Sequence, residues 1–124
     1  MDSVLLDDLL KAKYELGGRG PNYDCFGLLI EVAKRYGIVL PNETTNATPE
    51  DNHKAFLRGI TYFTRLEKPE NYCMVLLAPH MKYSNHCGFV LEYPFFIHCW
   101  EKTNVTIEKL DSLFWKPRVR GFYR

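Results

Sequence analysis

Nowhere does the sequence hold an apolar run near the roughly 20 residues that cross a bilayer, so no membrane-spanning helix and no membrane partner are expected. Its first ten residues carry acids where a secretory signal carries Lys or Arg, and the chain is expected to be cytoplasmic as synthesised. Cysteine is sparse. The four, at 25, 73, 87 and 99, form no C-x-x-C pair and lack the density of a disulfide-built scaffold, so they read as thiols of a reducing compartment. An excess of either charge is missing too: Lys and Arg number 16 against 15 Asp and Glu, a net +1, which leaves no overall field to hold nucleic acid. There is no repeat and no low-complexity tract, and residues 1–124 are expected to form one domain. Three N-x-[ST] sequons begin at Asn42, Asn46 and Asn104; without an entry signal they carry no role.

What is present suffices for a core, since 46% of residues are hydrophobic and 15% aromatic. Asp2 or Ser3 is placed to cap a short helix whose apolar positions are Val4, Leu5, Leu9 and Leu10, ending before the breaker cluster Gly17-Gly18-Arg19-Gly20-Pro21. Asp24 caps a second helix with the apolar stripe Leu28, Leu29, Val32 and Ala33, and Gly37 stops it. Thr48-Pro49 opens a third helix that ends at Gly59. The pattern then turns strand-like over residues 60–66, 72–78, 86–91 and 95–100, each rich in aromatic and branched residues and bounded by Pro, Asn or Ser breakers. A short helix over 108–113 and a strand over 118–123 complete the expectation. Helices first and antiparallel strands after them predict an α+β domain, with the helix that starts at Cys25 packed on one face of the sheet.

Cys25 is the leading candidate for chemistry. A thiol in the first turn of a helix faces unpaired N–H groups and the positive end of the helix dipole, both of which favour the nucleophilic thiolate. A buried thiol that merely packs on the sheet would occupy the same position, so residue placement alone leaves both readings open.

The histidines add to the first reading. A hairpin turning at Glu92-Tyr93-Pro94 and centred on Glu92 sets His86 directly opposite His98. Alternation then points both imidazoles to one face and Cys87 and Cys99 to the other. Two adjacent imidazoles suit a Cys/His/His relay, in which one ring takes the thiol proton and the second orients the first.

These residues also resemble a known family. The stretch Tyr14-Glu-Leu-Gly17-Gly18-Arg-Gly-Pro-Asn-Tyr-Asp24-Cys25-Phe-Gly27-Leu resembles the Tyr…Gly-Gly…Asp-Cys-Ser-Gly-Leu motif of NlpC/P60 cysteine peptidases. Asn85-His86-Cys-Gly88-Phe-Val resembles that family's His-x-Gly strand, and Phe96-Ile-His98 falls where the family carries its second histidine. The resemblance implies a papain-like α+β fold, with no metal or cofactor. It also implies hydrolysis of peptide bonds in bacterial cell-wall peptidoglycan, in the stem peptide beside D-glutamate and a diamino acid. By the same resemblance Cys25 is the nucleophile, His86 the general base and His98 its orienter, while Tyr14 sits beside the thiol and Asp24 meets a substrate's free amino group. Two positions depart from the pattern. Phe26 replaces the family's Ser, and Asn71-Tyr-Cys-Met replaces its Gly-Asp strand entry. Phe26 and the phrase Gly37-Ile-Val-Leu-Pro41 are similar to the version in phage tail-assembly proteins. That likeness implies tail proteins as partners and, as an alternative function, a structural component with a weakly active or inactive domain.

Plainer readings stand beside these. Asp24 serves equally as a helix cap, and Tyr14 as a core aromatic. His80, His86, Cys87, His98 and Cys99 invite comparison with a metal site, but they lack a closed ligand spacing and alternation divides them between two faces. The basic and aromatic tail from Phe114 to Arg124 reads either as a docking surface for an anionic partner or as a strand with one solvated face.

Overall fold

The computed structural model describes residues 5–42 and 48–124. The expected N-terminal cap at Asp2 or Ser3 and the apolar Val4 lie outside them. Among the described residues of that segment a 3-10 turn forms at Leu9–Lys11, with no capping side chain and with Leu9 its buried residue.

Helix α1, Cys25–Arg35, begins where Asp24 leaves the extended region and accepts a hydrogen bond from the Gly27 N–H. Its stripe of Leu28, Leu29, Val32 and Ala33 is buried. Gly27 has a local reason: a Cβ there would stand 2.0 Å from the Gly18 carbonyl oxygen, so only glycine lets the loop before α1 lie against the first turn. Helix α2, Pro49–Gly59, starts at Thr48, whose hydroxyl accepts from the Asp51 N–H, and has Pro49 in its first turn. None of its residues is fully buried.

Six strands follow: β1 Arg65–Leu66, β2 Met74–Leu77, β3 His86–Val90, β4 Phe95–Trp100, β5 Asn104–Lys109 and β6 Val119–Tyr123. They form one sheet in the order β1-β6-β2-β3-β4-β5, antiparallel throughout. Two expected elements differ. Residues 60–66 open with a 3-10 turn at Ile60–Tyr62 that prolongs α2, and only Arg65 and Leu66 pair as a strand. Residues 104–109 are a strand rather than the approach to a helix. Val105, Thr106 and Ile107 are β-branched, and all six residues pair with β4, so sheet pairing overrides the helical spacing of Leu110 and Leu113. Strand β6 agrees with the expectation to within a residue.

The sheet has a core on each face. Under α1 lie Cys87, Phe89, Ile97, Cys99 and Val105 with Leu28, Leu29, Val32 and Ala33. On the other face Val75, Leu77, Val90 and Phe96 pack with Leu110 and Trp115. The C-terminal tail forms part of that second layer: Trp115 is 1% exposed, and the Arg118 guanidinium stacks 3.9 Å from the Phe114 ring and donates to the Pro79 carbonyl. The basic and aromatic residues at 114, 115 and 118 thus serve packing. No helix among the described residues is long and apolar enough to cross a membrane.

Candidate active site

The β3–β4 hairpin pairs Phe89 with Ile97 and Val90 with Phe96, so the turn centres on Tyr93 and every partner is displaced by two residues from the expected register. The displacement is even, so alternation is preserved. His86 and His98 share a face as diagonal neighbours, and Cys87 and Cys99 share the other. His86 Nε2 lies 2.8 Å from His98 Nδ1. Behind them His98 Nε2 lies 2.6 Å from Glu108 Oε2 in β5, and the Trp115 indole N–H donates to Glu108 Oε1 at 3.1 Å.

This row is closed in by rings. Trp115 stacks on His86 at 5.9 Å and meets His98 edge-on at 5.2 Å, while Phe96 stacks on His98 at 4.6 Å. Burial pushes His86 well below the ordinary histidine range, and the neighbouring His98 adds to the effect. Its imidazole is therefore held neutral, the form that can accept a proton. The hydrogen bond from His98 draws the Glu108 carboxyl below its usual range, against partial burial.

His86 opens β3, and Cys25 opens α1 on the same cleft. A cleft of about 150 Å³ is lined by Cys25 and His86 together with Tyr14, Asp24, Asn52 and Trp100. His98 stands behind His86 and is fully buried. The five residues singled out from the sequence are thus brought to one place, four on the cleft wall and His98 supporting from beneath.

Each has its own surroundings. Cys87, below α1, hydrogen-bonds the Cys25 thiol; that contact and burial push Cys87 well above the usual thiol range. Cys99 donates its S–H to the Tyr23 carbonyl at 3.1 Å and is pushed up to about 12 by burial and the nearby Cys25 and Asp24 charges. Both stay protonated and unreactive at neutral pH. Tyr14 is pushed up to about 12, chiefly by burial and next by Cys25 and Asp24, so its phenol remains a hydrogen-bond donor beside the thiol. Asp24 is fully buried and its carboxylate is already engaged: Oδ1 accepts from the Gly27 N–H at 2.8 Å and from Arg19 at 3.0 Å, and Oδ2 from the Gly17 N–H at 2.8 Å. Among the described residues no group of three or more His, Cys, Asp or Glu is arranged to hold a metal ion; His80 turns to Trp100 instead.

Neither Glu108 nor Trp115 was singled out as a site residue from the sequence. Glu108 opens the segment 108–113 that was expected as a helix, and Trp115 lies in the tail read as a docking surface or a strand. The alternation of Val105 and Ile107 is the signal that locates Glu108 on the histidine face.

The model of the NlpC/P60 family matches residues 11–124. The chain belongs to the NlpC/P60 family. No curated protein sequence matches closely enough to serve as a relative. Three solved structures resemble it: a lipoprotein-like NLP/P60 protein of Staphylococcus aureus (TM-score 0.63, 23% identity, covering 100% of this chain and 42% of that one); an NlpC/P60 family protein of Bacillus cereus (0.68, 19%, 97% and 40%); and NlpC1 of Trichomonas vaginalis (0.61, 20%, 94% and 41%). The fold is the papain-like α+β fold of NlpC/P60 domains, a family generally of cell-wall cysteine peptidases. This NlpC/P60 chain spans about 40% of the length of those structures. None of the three is described as a phage protein, so the likeness to the tail-assembly version gains no support from them.

Proposed function

We propose that this NlpC/P60 chain is a cysteine peptidase that hydrolyses peptide bonds of the peptidoglycan stem peptide. The observation that carries the reading is the placing of Cys25, at the N-terminus of α1, across one cleft from a buried neutral His86 that is itself hydrogen-bonded to His98. A thiol, a base and a group that orients the base are the parts that acyl transfer to sulfur requires.

In the proposed reaction His86 takes the Cys25 proton and Sγ attacks the carbonyl carbon of the scissile bond. The oxyanion is met by the free N–H groups of the first turn of α1 and by the Tyr14 hydroxyl, which stays protonated. The tetrahedral intermediate collapses as the histidinium returns its proton to the leaving amine. Water, deprotonated by His86, then releases the acyl group and restores the thiol.

The test is digestion of purified peptidoglycan by the wild type and by Cys25→Ala, with fragments identified by mass spectrometry. New amino termini from the wild type alone support the peptidase and name the bond cut. Absence of fragments from both, with Cys25 alkylating no faster than a free thiol at neutral pH, rejects it in favour of a non-hydrolytic role such as phage tail assembly.

A further inference from the structure

Resting on the reading of Cys25 and His86 as nucleophile and base, we propose that Glu108 is a positioning residue that sets the tautomers of both histidines, so that His86 turns its Nδ1 lone pair to the thiol.

An indole N–H can only donate, so Glu108 Oε1, which accepts from Trp115, is an acceptor. Oε2, 2.6 Å from His98 Nε2, belongs to the same carboxylate and accepts as well. His98 therefore carries its proton on Nε2, and a neutral imidazole protonated there has its lone pair on Nδ1. That Nδ1 lies 2.8 Å from His86 Nε2, so His86 must donate from Nε2. The nitrogen left with a lone pair is His86 Nδ1. One carboxylate at the far side of the sheet thus determines which nitrogen of the proposed base is free.

The same row bears on charge. When His86 takes the thiol proton, a cation forms against the Trp115 and Trp100 rings, with His98 behind it. The titratable groups around it are Cys25, Asp24, Tyr14, Glu101 and His80, which line the same cleft, and His98 from β4 with Glu108 of β5 behind it. Glu108 is the anion among those that lie on the histidine face. Without it His98 is free to protonate on Nδ1 and confront His86 with a donor. That reverses His86 and presents an N–H, not a lone pair, to the sulfur.

The position of Glu108 follows from the ladder. Phe96 pairs with Glu108 and His98 with Thr106, so Glu108 is the diagonal neighbour of His98 on the same face, the relation that His86 has on the other side.

The first test needs no substitution. Long-range 1H–15N spectra of the wild type at neutral pH are expected to show both His86 and His98 protonated on Nε2 and bare at Nδ1; a proton on Nδ1 of either ring overturns the proposal. The second compares Glu108→Gln, Glu108→Asp and Trp115→Phe in peptidoglycan digestion and in the pH profile of Cys25 alkylation. A glutamine amide cannot accept from both Trp115 and His98. Glu108→Gln is therefore expected to lower kcat/KM by about 10²-fold or more and to move the rising limb of alkylation to higher pH. Glu108→Asp recovers part of the loss, and Trp115→Phe, which removes the donor to Oε1 and trims the ring packed on both histidines, is expected to lose activity as well. Activity lost only in proportion to the folded fraction, with an unmoved profile, makes Glu108 a structural anchor and nothing more. A wild type that digests while Glu108→Gln equals it rejects this proposal alone; a wild type that releases no fragments rejects the peptidase reading, and the spectra still decide the tautomers.

Discussion

Gly88 stands opposite His98 in the continued β3–β4 register, and its missing side chain lets His86 reach His98 along the diagonal. A Cβ on Gly88 would lie 2.8 Å from the Phe96 ring, 3.2 Å from the Ile97 carbonyl oxygen and 3.3 Å from His98 Cβ. Gly88→Ala is therefore expected to destabilise the fold by about 1–3 kcal/mol through overpacking, and to lengthen the His86–His98 contact as His98 is pushed aside. Thermal unfolding measures the first effect. Activity per folded molecule measures the second, and a variant as stable and as active as wild type would sink the argument.

That relationship shows where the sequence was legible and where it was not. Cys25 could be read because capping by Asp24 is local, and the common face of His86 and His98 because alternation is local. The register was not readable, since a turn centred on Glu92 and one centred on Tyr93 satisfy the same pattern; the observed pairing of Val90 with Phe96 chooses the second. Glu108 was hidden for a different reason. It is one of 15 acids in the chain, and its meaning depends on β5 pairing with β4, a contact set by packing and not by spacing. Asp24 looked free to meet a substrate amine because Gly17 and Arg19, which occupy its carboxylate, approach it only once the loop has folded.

Acid is expected to destabilise the protein in two stages. His86 is held below its ordinary value of 6.5, so from about pH 6.5 downward the unfolded chain gains a proton that the folded one does not. Stability is full above that value and falls by about 1.4 kcal/mol per pH unit below it, until the folded ring also titrates. Glu108 is held below its ordinary 4.5, so its contribution is present above that value and lost as pH falls through the lowered one. Denaturant unfolding of Cys25→Ala, in which no thiolate competes for the proton, checks the signs. Stability that is flat or rises from pH 7 to 5 would contradict the burial of a neutral His86.

The occupied carboxylate of Asp24 separates its two readings. Asp24→Asn keeps an oxygen for the Gly27 N–H but turns an amide N–H toward Gly17 and gives up the charge that pairs with Arg19. The expected outcome is a loss of about 1–3 kcal/mol in stability, from the cap and from an unpaired buried donor, with KM on the folded fraction little changed. A stable variant whose KM rises more than about tenfold, a cost near 1.4 kcal/mol, would instead make Asp24 a substrate contact.

Phe26 replaces the serine of the family motif, and its surroundings give it a different task. Its ring lies 6.3 Å from that of Phe56 in α2, and the Arg19 guanidinium lies 5.7 Å from it. Helix α2 buries no residue completely, and it is also tied by the Ser84 N–H donating to His53 Nδ1 at 2.8 Å and by the His53 ring, 5.5 Å from that of Tyr83. Pro49 and Asn52 of the same helix form one wall of the cleft that holds Cys25. Phe26→Ser removes the Phe26–Phe56 pair from that attachment, with an expected loss of about 1–3 kcal/mol for a half-buried ring. Because the thiol and the histidines are untouched, the change should loosen substrate binding more than chemistry, raising KM more than it lowers kcat. Limited proteolysis gives an independent reading: cleavage within residues 49–59 should accelerate in Phe26→Ser while the sheet stays intact. If instead kcat falls and α2 is cut no faster, Phe26 acts on the thiol next to it and not through the helix.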